Sequence, residues 1–183
     1  MFRPAGQSKM EATPIEVGGA TVKAAEKTNA MRLLEGRGIP YQAFAYSPEL
    51  HSAIEVADVL GVPRAEVYKT LVVLRERGKP MLVIVPGDRE LDLRRLAKSI
   101  GEKGLRMATQ REAEKLTGLQ VGGISALALL NRGFDVYLDR SAQELESLYV
   151  SAGRRGINLR LRVADLVRVT GARPADAAAE RSA

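Results

Sequence analysis

Cysteine and tryptophan are absent from all 183 residues, and histidine occurs once, as His51. Without cysteine there is no disulfide framework, no thiolate metal site and no cysteine nucleophile, a usage that fits a reducing cytoplasm. A single histidine argues against a histidine-based metal site and against a serine–histidine–aspartate triad. No dinucleotide or P-loop fingerprint appears either, so neither a cofactor nor a metal is expected. With only three Phe and five Tyr, aliphatic side chains must build the core. No apolar run approaches the ~20 residues needed to span a bilayer. The N-terminus lacks a secretory apolar region as well, so no membrane association or export is expected.

What is present suits one domain. A hydrophobic content of 45% in 183 residues supports a full core but is short for two. The net charge of +6 favours an anionic partner, most simply nucleic acid. On composition alone, a generally basic, arginine-rich proteome explains it as well. Residues 1–25 carry Pro4, Gly6, Pro14, Gly18 and Gly19 with no sustained apolar period, which predicts a flexible extension. Residues 173–183 read as a flexible tail, leaving 26–172 as the folded unit.

Within that unit helices and strands alternate. Helical spacing runs from Thr28 to Glu35 and stops at Gly36 and Gly38. Ser52-x-x-Glu55, Thr109-x-x-Glu112 and Ser141-x-x-Glu144 read as capping boxes. Leu91 to Ile100 is an amphipathic helix, and Ala164 to Val169 a closing one. Strands are expected at Tyr41–Tyr46, Leu105–Ala108, Phe134–Leu138, Leu148–Ser151 and Ile157–Val163. Lys69–Arg75 and Met81–Val85, joined by Arg-Gly-Lys-Pro, form a hairpin. Hairpin-paired strands interrupted by short helices give an α/β domain: a curved, mixed, largely antiparallel sheet with helices packed around it.

Two features carry chemistry. Lys69 sits among Val67, Tyr68, Leu71, Val72 and Val73, placing an ammonium in a run that otherwise reads as a buried strand. The plain alternative is a strand-end lysine that snorkels to solvent. Val121-Gly122-Gly123-Ile124-Ser125 is a glycine pair bounded by apolar residues, where backbone amides can approach a ligand without a Cβ in the way. An ordinary helix-to-strand turn is its alternative. Together, one lysine and one glycine loop suggest a small site for an electron-rich substrate. Ser125 has no visible base, so it reads as a hydrogen-bond donor rather than a nucleophile.

Six sequence words, in order, resemble the YbaK family of free-standing aminoacyl-tRNA deacylases, relatives of the editing domain inserted in bacterial prolyl-tRNA synthetases. They are Val67-Tyr68-Lys69-Thr70-Leu71-Val72-Val73, Leu91 to Lys98, Thr117-Gly118, Val121 to Ser125, Ala142-Gln143-Glu144 and Tyr149 to Gly156. The likeness covers about residues 28–170. It implies removal of a wrongly attached amino acid, chiefly cysteine, from tRNA(Pro) or tRNA(Cys), in the cytoplasm, without a metal and alongside prolyl-tRNA synthetase. By motif position it implies catalytic roles for Lys69, Gly122 and Gly123, and substrate contacts for Tyr46, Ile124, Ser125 and Asn158. The expected tRNA contacts are Arg94 and Arg95 on a helix and Arg154 and Arg155 near the loop, with Arg75, Arg77, Lys79 and Lys98 as further candidates.

The chain departs from that pattern twice. Relatives continue the loop as Gly-Gly-Ile-Ser-Pro-Leu-Gly, whereas this chain has Ala126-Leu127-Ala128, which makes Ser125 to Leu130 a plausible helical start. Asn158 stands where relatives can carry aspartate, which removes a negative charge. A non-catalytic tRNA- or synthetase-binding relative with an altered loop is therefore the alternative function.

Overall fold

Short polar caps start most of the helices, so their boundaries follow side-chain chemistry. The computed structural model describes residues 27–181, and the expected extension over 1–25 lies outside them. The Thr28 hydroxyl accepts the Met31 amide to open α1 (Asn29–Gly36). Reciprocal capping boxes at Ser52/Glu55 and Thr109/Glu112 open α2 (Ala53–Leu60) and α4 (Gln110–Thr117). The Asp92 carboxylate accepts the amides of Arg94 and Arg95 at the start of α3 (Leu93–Ile100). The final helix is α5 (Val163–Thr170). No helix among the described residues is long and apolar enough to cross a membrane.

The Ser141 capping box does not form. Residues 140–144 make a 3-10 turn whose cap is Asp139. The Ser141 hydroxyl is occupied by the Asp139 carboxylate at 2.6 Å and the Tyr68 hydroxyl at 2.9 Å. It is therefore not free to accept a downstream amide. The expected helical start at Ser125–Leu130 likewise becomes two 3-10 turns, Ala126–Ala128 and Leu130–Arg132.

The expected mixed, largely antiparallel α/β architecture is what is found. β1 (Gln42–Ala45), β8 (Ile157–Arg162) and β7 (Ser147–Ser151) form a three-stranded antiparallel sheet. Five strands form the second sheet, in the order β5 (Arg106–Met107), β2 (Tyr68–Leu74), β3 (Met81–Pro86), β6 (Asp135–Asp139) and β9 (Arg173–Ala175). β2 and β3 are the expected antiparallel hairpin, whereas β3–β6 and β6–β9 are parallel. A third pair joins β4 (Glu90–Leu91) to β10 (Ala178–Ala179).

β3 is the central strand and is buried along its whole length. Its period of two sends Leu82 and Ile84 to one core, with Met31 and Leu34 of α1, Leu159 of β8 and Leu166 of α5. Met81, Val83 and Val85 face the other, beneath Leu96 of α3. Each such fully buried aliphatic side chain contributes roughly 1.5–3 kcal/mol.

Residues 173–179 are not the start of a loose tail. Ala175 and Ala177 are fully buried against the α3 side of the sheet, where small side chains let the chain lie flat. The buried Asp139 carboxylate accepts the amides of Ala177 and Ala178 at 2.9 and 2.8 Å. Two short strands without an apolar period left no sequence signal for this.

Candidate active site

A single parallel bridge, Val67 to Tyr149, ties the two larger sheets together. β5 pairs with β2 only at Val73 and Leu74, so on that edge Tyr68 to Leu71 have no ladder partner among the described strands. A cavity of about 360 Å³ opens there, within the size range of small-ligand sites. β2 contributes Lys69 and Thr70 to its wall. Tyr46, just past β1, joins them with Ser151 of β7 and Asn158 of β8. Gly122 and Ile124 complete the wall from the glycine loop.

Lys69 is half-buried, and its Nζ donates to the carbonyl of Arg89 at 2.7 Å. No carboxylate among the described residues lies within ion-pair distance of it. Burial, and next the positive charge of Arg181, hold its ammonium below the ordinary lysine range. A ligand carrying negative charge or a polarised oxygen would relieve both effects. The snorkelling alternative thus takes a specific form, since the amine reaches a cavity rather than bulk water.

The loop following α4 is pinned at three points. Val121 donates its amide to Glu114 Oε1 at 3.1 Å. Its carbonyl accepts Arg155 Nε at 2.6 Å. The Gly123 amide closes a turn onto the Gln120 carbonyl at 2.9 Å. Gly122 has φ +90°, a region that side-chain-bearing residues rarely adopt. A Cβ on Gly123 would lie 2.8 Å from the Arg155 nitrogen and 3.0 Å from the Arg154 carbonyl carbon, so only glycine fits. The amides of Gly122 and Ile124 have no acceptor among the described residues, and both residues line the cavity. Lys69 and these two unpaired N–H groups thus share one cavity. The Gly123 amide is already used, and Gly123 lies behind the cavity wall.

Ser125 is 1% exposed and does not line the cavity. Its hydroxyl has no hydrogen-bond partner. No non-glycine residue among those described has positive φ, so the backbone at Ala126 and Ala128 does not call for glycine. Gly122 and Ile124, just before this turn, line the cavity.

Tyr46 Oη donates to Asn158 Oδ1 at 3.0 Å. Burial pushes the Tyr46 phenol up to about 12, so it remains a neutral donor at physiological pH. Asn158 is 4% exposed and sits opposite Ser151 in the β7–β8 register. This side of the cavity is polar and uncharged.

Residues 47–169 match the family described as the aminoacyl-tRNA editing domain. The chain belongs to that family. It is 38% identical over 144 residues to EbsC of Enterococcus faecalis, named as a candidate Cys-tRNA(Pro)/Cys-tRNA(Cys) deacylase, covering 78% of this chain and 87% of EbsC. It is also 30% identical over 113 residues to a proline–tRNA ligase of Staphylococcus aureus, covering 62% of this chain but 19% of the ligase. A crystal structure described as a candidate trans-editing enzyme for prolyl-tRNA synthetase superposes with a TM-score of 0.72 at 28% identity, covering 82% of this chain and 95% of that one. The hypothetical protein APE2540 superposes at 0.75 and 29% identity, covering 82% and 99%. The resemblance carried by the six sequence words is thereby borne out.

In this editing domain the basic residues divide into distinct groups. Arg154 and Arg155 line a second depression of about 500 Å³, which shares Tyr46 with the first. Arg94 and Arg95 are exposed on α3 and line neither cavity. Arg95 Nη1 donates to the Ala178 carbonyl at 2.7 Å. Arg75 is a structural ion pair rather than a phosphate contact. Its side chain is 9% exposed and is held by Glu102 at 2.9 Å and Asp135 at 2.7 Å. Arg77, Lys79 and Lys98 are exposed.

Sequence reasoning missed several lining residues, among them Ser151, Thr70, Gln110 and Arg181. Ser151 and Thr70 lie within the motif words, so the strand period could have assigned them. Arg181 carried no such signal.

Proposed function

We propose that this editing domain is a trans-acting deacylase that removes cysteine from tRNA(Pro) or tRNA(Cys) in the cytoplasm, in association with prolyl-tRNA synthetase. The observation that carries it is the meeting of Lys69 with the unpaired amides of Gly122 and Ile124 at one cavity of about 360 Å³. The names of EbsC and of the trans-editing neighbour support the substrate class.

An aminoacyl ester is already activated, so the protein must chiefly place it and stabilise charge. In this reading the N–H groups of Gly122 and Ile124 donate to the ester carbonyl oxygen as it becomes an oxyanion. Lys69 adds positive charge at the nucleotide end. The substrate thiol gives its proton to water, and its sulfur attacks the carbonyl carbon. The C–O bond to ribose then breaks, the ribose oxygen takes a proton back from water to leave as a hydroxyl, and the amino acid departs as a cyclic thioester that water opens to free cysteine. Such an intramolecular attack gains effective molarities that can reach roughly 10⁵ M or more, so no protein nucleophile is needed. Tyr46, Asn158 and Ile124 border the aminoacyl group. Gly123 and Ser125 support the loop, and Arg94, Arg95, Arg154 and Arg155 contact tRNA phosphates.

The test is ester loss from Cys-tRNA(Pro), Cys-tRNA(Cys), Ala-tRNA(Pro) and correctly charged Pro-tRNA(Pro). Rapid turnover of the cysteinyl substrates is expected. Replacing the cysteine thiol by the serine hydroxyl should slow the reaction sharply. Equal rates for seryl and cysteinyl esters would refute thiol attack, and no turnover on any mischarged tRNA would refute the activity. Ala126 and Ala128 remain the motive for the non-catalytic alternative, which tRNA binding without ester loss, unaffected by Ala126→Pro and Ala128→Gly, would favour.

A further inference from the structure

The cavity is lined by two side chains that carry full charge, Lys69 and Arg181, and by no aspartate or glutamate. A half-buried amine and a guanidinium at one cavity, with the nearby carboxylates of Asp88 and Glu90 outside its lining, leave positive charge that an anion can meet. Arg181 reaches this place through a series of contacts made by the segment expected to be loose. β9 pairs in parallel with β6, and β10 pairs antiparallel with β4. Asp139 holds the amides of Ala177 and Ala178, the Asp92 amide donates to the Ala177 carbonyl at 2.8 Å, and Arg95 holds the Ala178 carbonyl. Beyond β10, Glu180 meets Arg89 at 3.4 Å and Arg181 meets Glu90 at 3.7 Å. The Arg89 carbonyl is also the acceptor for Lys69 Nζ. The strap and the cavity lysine are therefore fastened to the same turn.

We infer that Arg181, delivered by the β9–β10 strap, forms with Lys69 a two-cation subsite for the phosphate on the 5′ side of the substrate's terminal nucleotide. This rests on the reading of the cavity as an aminoacyl-tRNA site. The Arg181–Glu90 pair is long, and both side chains are half exposed, so its guanidinium can exchange the carboxylate for a phosphate at small cost. Arginine suits the task because its planar fork matches phosphate oxygens, while lysine acts as a point charge. The charge of Arg181 also contributes to holding the Lys69 ammonium below its ordinary range, an effect that a bound phosphate anion would oppose.

Calorimetric titration with 5′-AMP and with adenosine tests the subsite without any chemistry, and deacylation of Cys-tRNA(Pro) is followed in parallel. The wild-type protein should prefer 5′-AMP to adenosine by about tenfold, the order expected for one charge-assisted hydrogen bond to phosphate. Arg181→Ala should cut that preference to about threefold, the part left by Lys69, while leaving adenosine affinity unchanged, and Arg181→Lys should restore part of the loss. An equal loss of both ligands in Arg181→Ala would mean a structural role and overturn the inference. An AMP preference unchanged in Arg181→Ala, or no AMP preference in the wild type, would overturn it too. Failure of deacylation with the AMP pattern intact would refute the proposed function and leave the phosphate subsite standing. Normal deacylation with the AMP pattern absent would do the reverse.

Discussion

Replacing Lys69 by methionine should leave the fold intact and remove most of the deacylation. Methionine keeps an unbranched stem of similar length along β2, so the contacts of the half-buried side chain survive. What disappears is the charge and the 2.7 Å hydrogen bond to the Arg89 carbonyl. Losing that bond costs about 1 kcal/mol, and relief from holding an ammonium partly out of water offsets it, so unfolding free energy should move by less than about 1 kcal/mol. Losing one charge-assisted contact to the substrate phosphate costs roughly 1.5–3 kcal/mol, or about 10–10² in kcat/KM, and that is the expected loss here. Single-turnover decay of radiolabelled Cys-tRNA(Pro) reads it, with a thermal melt as the folding control. The lowered ammonium pKa fixes the sign of the pH dependence. Between the folded value and the ordinary ~10.4, the unfolded chain binds more protons, so wild-type stability rises with pH there and Lys69→Met lacks that rise. Wild-type activity should fall over the same approach as the amine loses its proton. Activity within threefold of wild type in Lys69→Met, with an unchanged melt, would refute the role of this cation.

Gly123→Ala should displace the loop, because the new methyl meets backbone atoms of Arg154 and Arg155 that cannot rotate away. We expect a loss of about 1–3 kcal/mol in a denaturant melt together with a fall in kcat, and a silent substitution would contradict the packing. Asp139→Asn puts an NH2 group against the donors of Ser141 or of Ala177 and Ala178, costing about 2–4 kcal/mol by equilibrium unfolding. Burial pushes the Asp139 carboxyl up, but hydrogen bonds from Ser141, Ala177 and Ala178 together hold it lower. The stability it contributes is therefore present above the ordinary ~3.9 and is lost as pH falls through the depressed folded value. The variant should lack that portion of the acid limb. Tyr46→Phe removes the hydrogen bond to Asn158, and we expect KM to rise about fivefold with little change in kcat, the order of one neutral bond. A fall confined to kcat would place Tyr46 in the chemistry instead.

How much of this was legible depended on whether a residue's role was written in its neighbours along the chain. The Ser52 and Thr109 boxes are local, and both form as spaced. Lys69 stood out because its five-residue surroundings forbid an unexplained ammonium. The glycine pair stood out for a similar reason, yet the division of labour inside it did not. Which of Gly122, Gly123 and Ile124 keeps a free amide depends on Gln120 turning back and on Arg155, more than thirty positions away, clamping Val121. Ser141 failed for the same cause, since Asp139 and Tyr68 claim its hydroxyl first. Arg75 resembled a free surface cation in sequence, yet its side chain is largely covered and paired, because the partly exposed Glu102 and Asp135 arrive from other parts of the chain.

Arg181 lies at the far end of that scale, and its position also bears on orientation. An esterified amino acid has no free carboxylate and carries an ammonium, so a cavity with two cations repels its aminoacyl end and attracts its nucleotide end. The neutral group of Tyr46, Ser151 and Asn158 is the part of the wall that an ammonium can approach without direct repulsion. With asparagine at 158 that attraction is weaker than a carboxylate would give. Recognition must then lean on the phosphate side, where Lys69 and Arg181 stand. An Asn158→Asp variant should therefore bind the aminoacyl ammonium more tightly while leaving the preference for 5′-AMP over adenosine unchanged. If the aspartate abolished that preference as well, the two ends of the cavity would be electrostatically one site, and the division of labour argued here would fail.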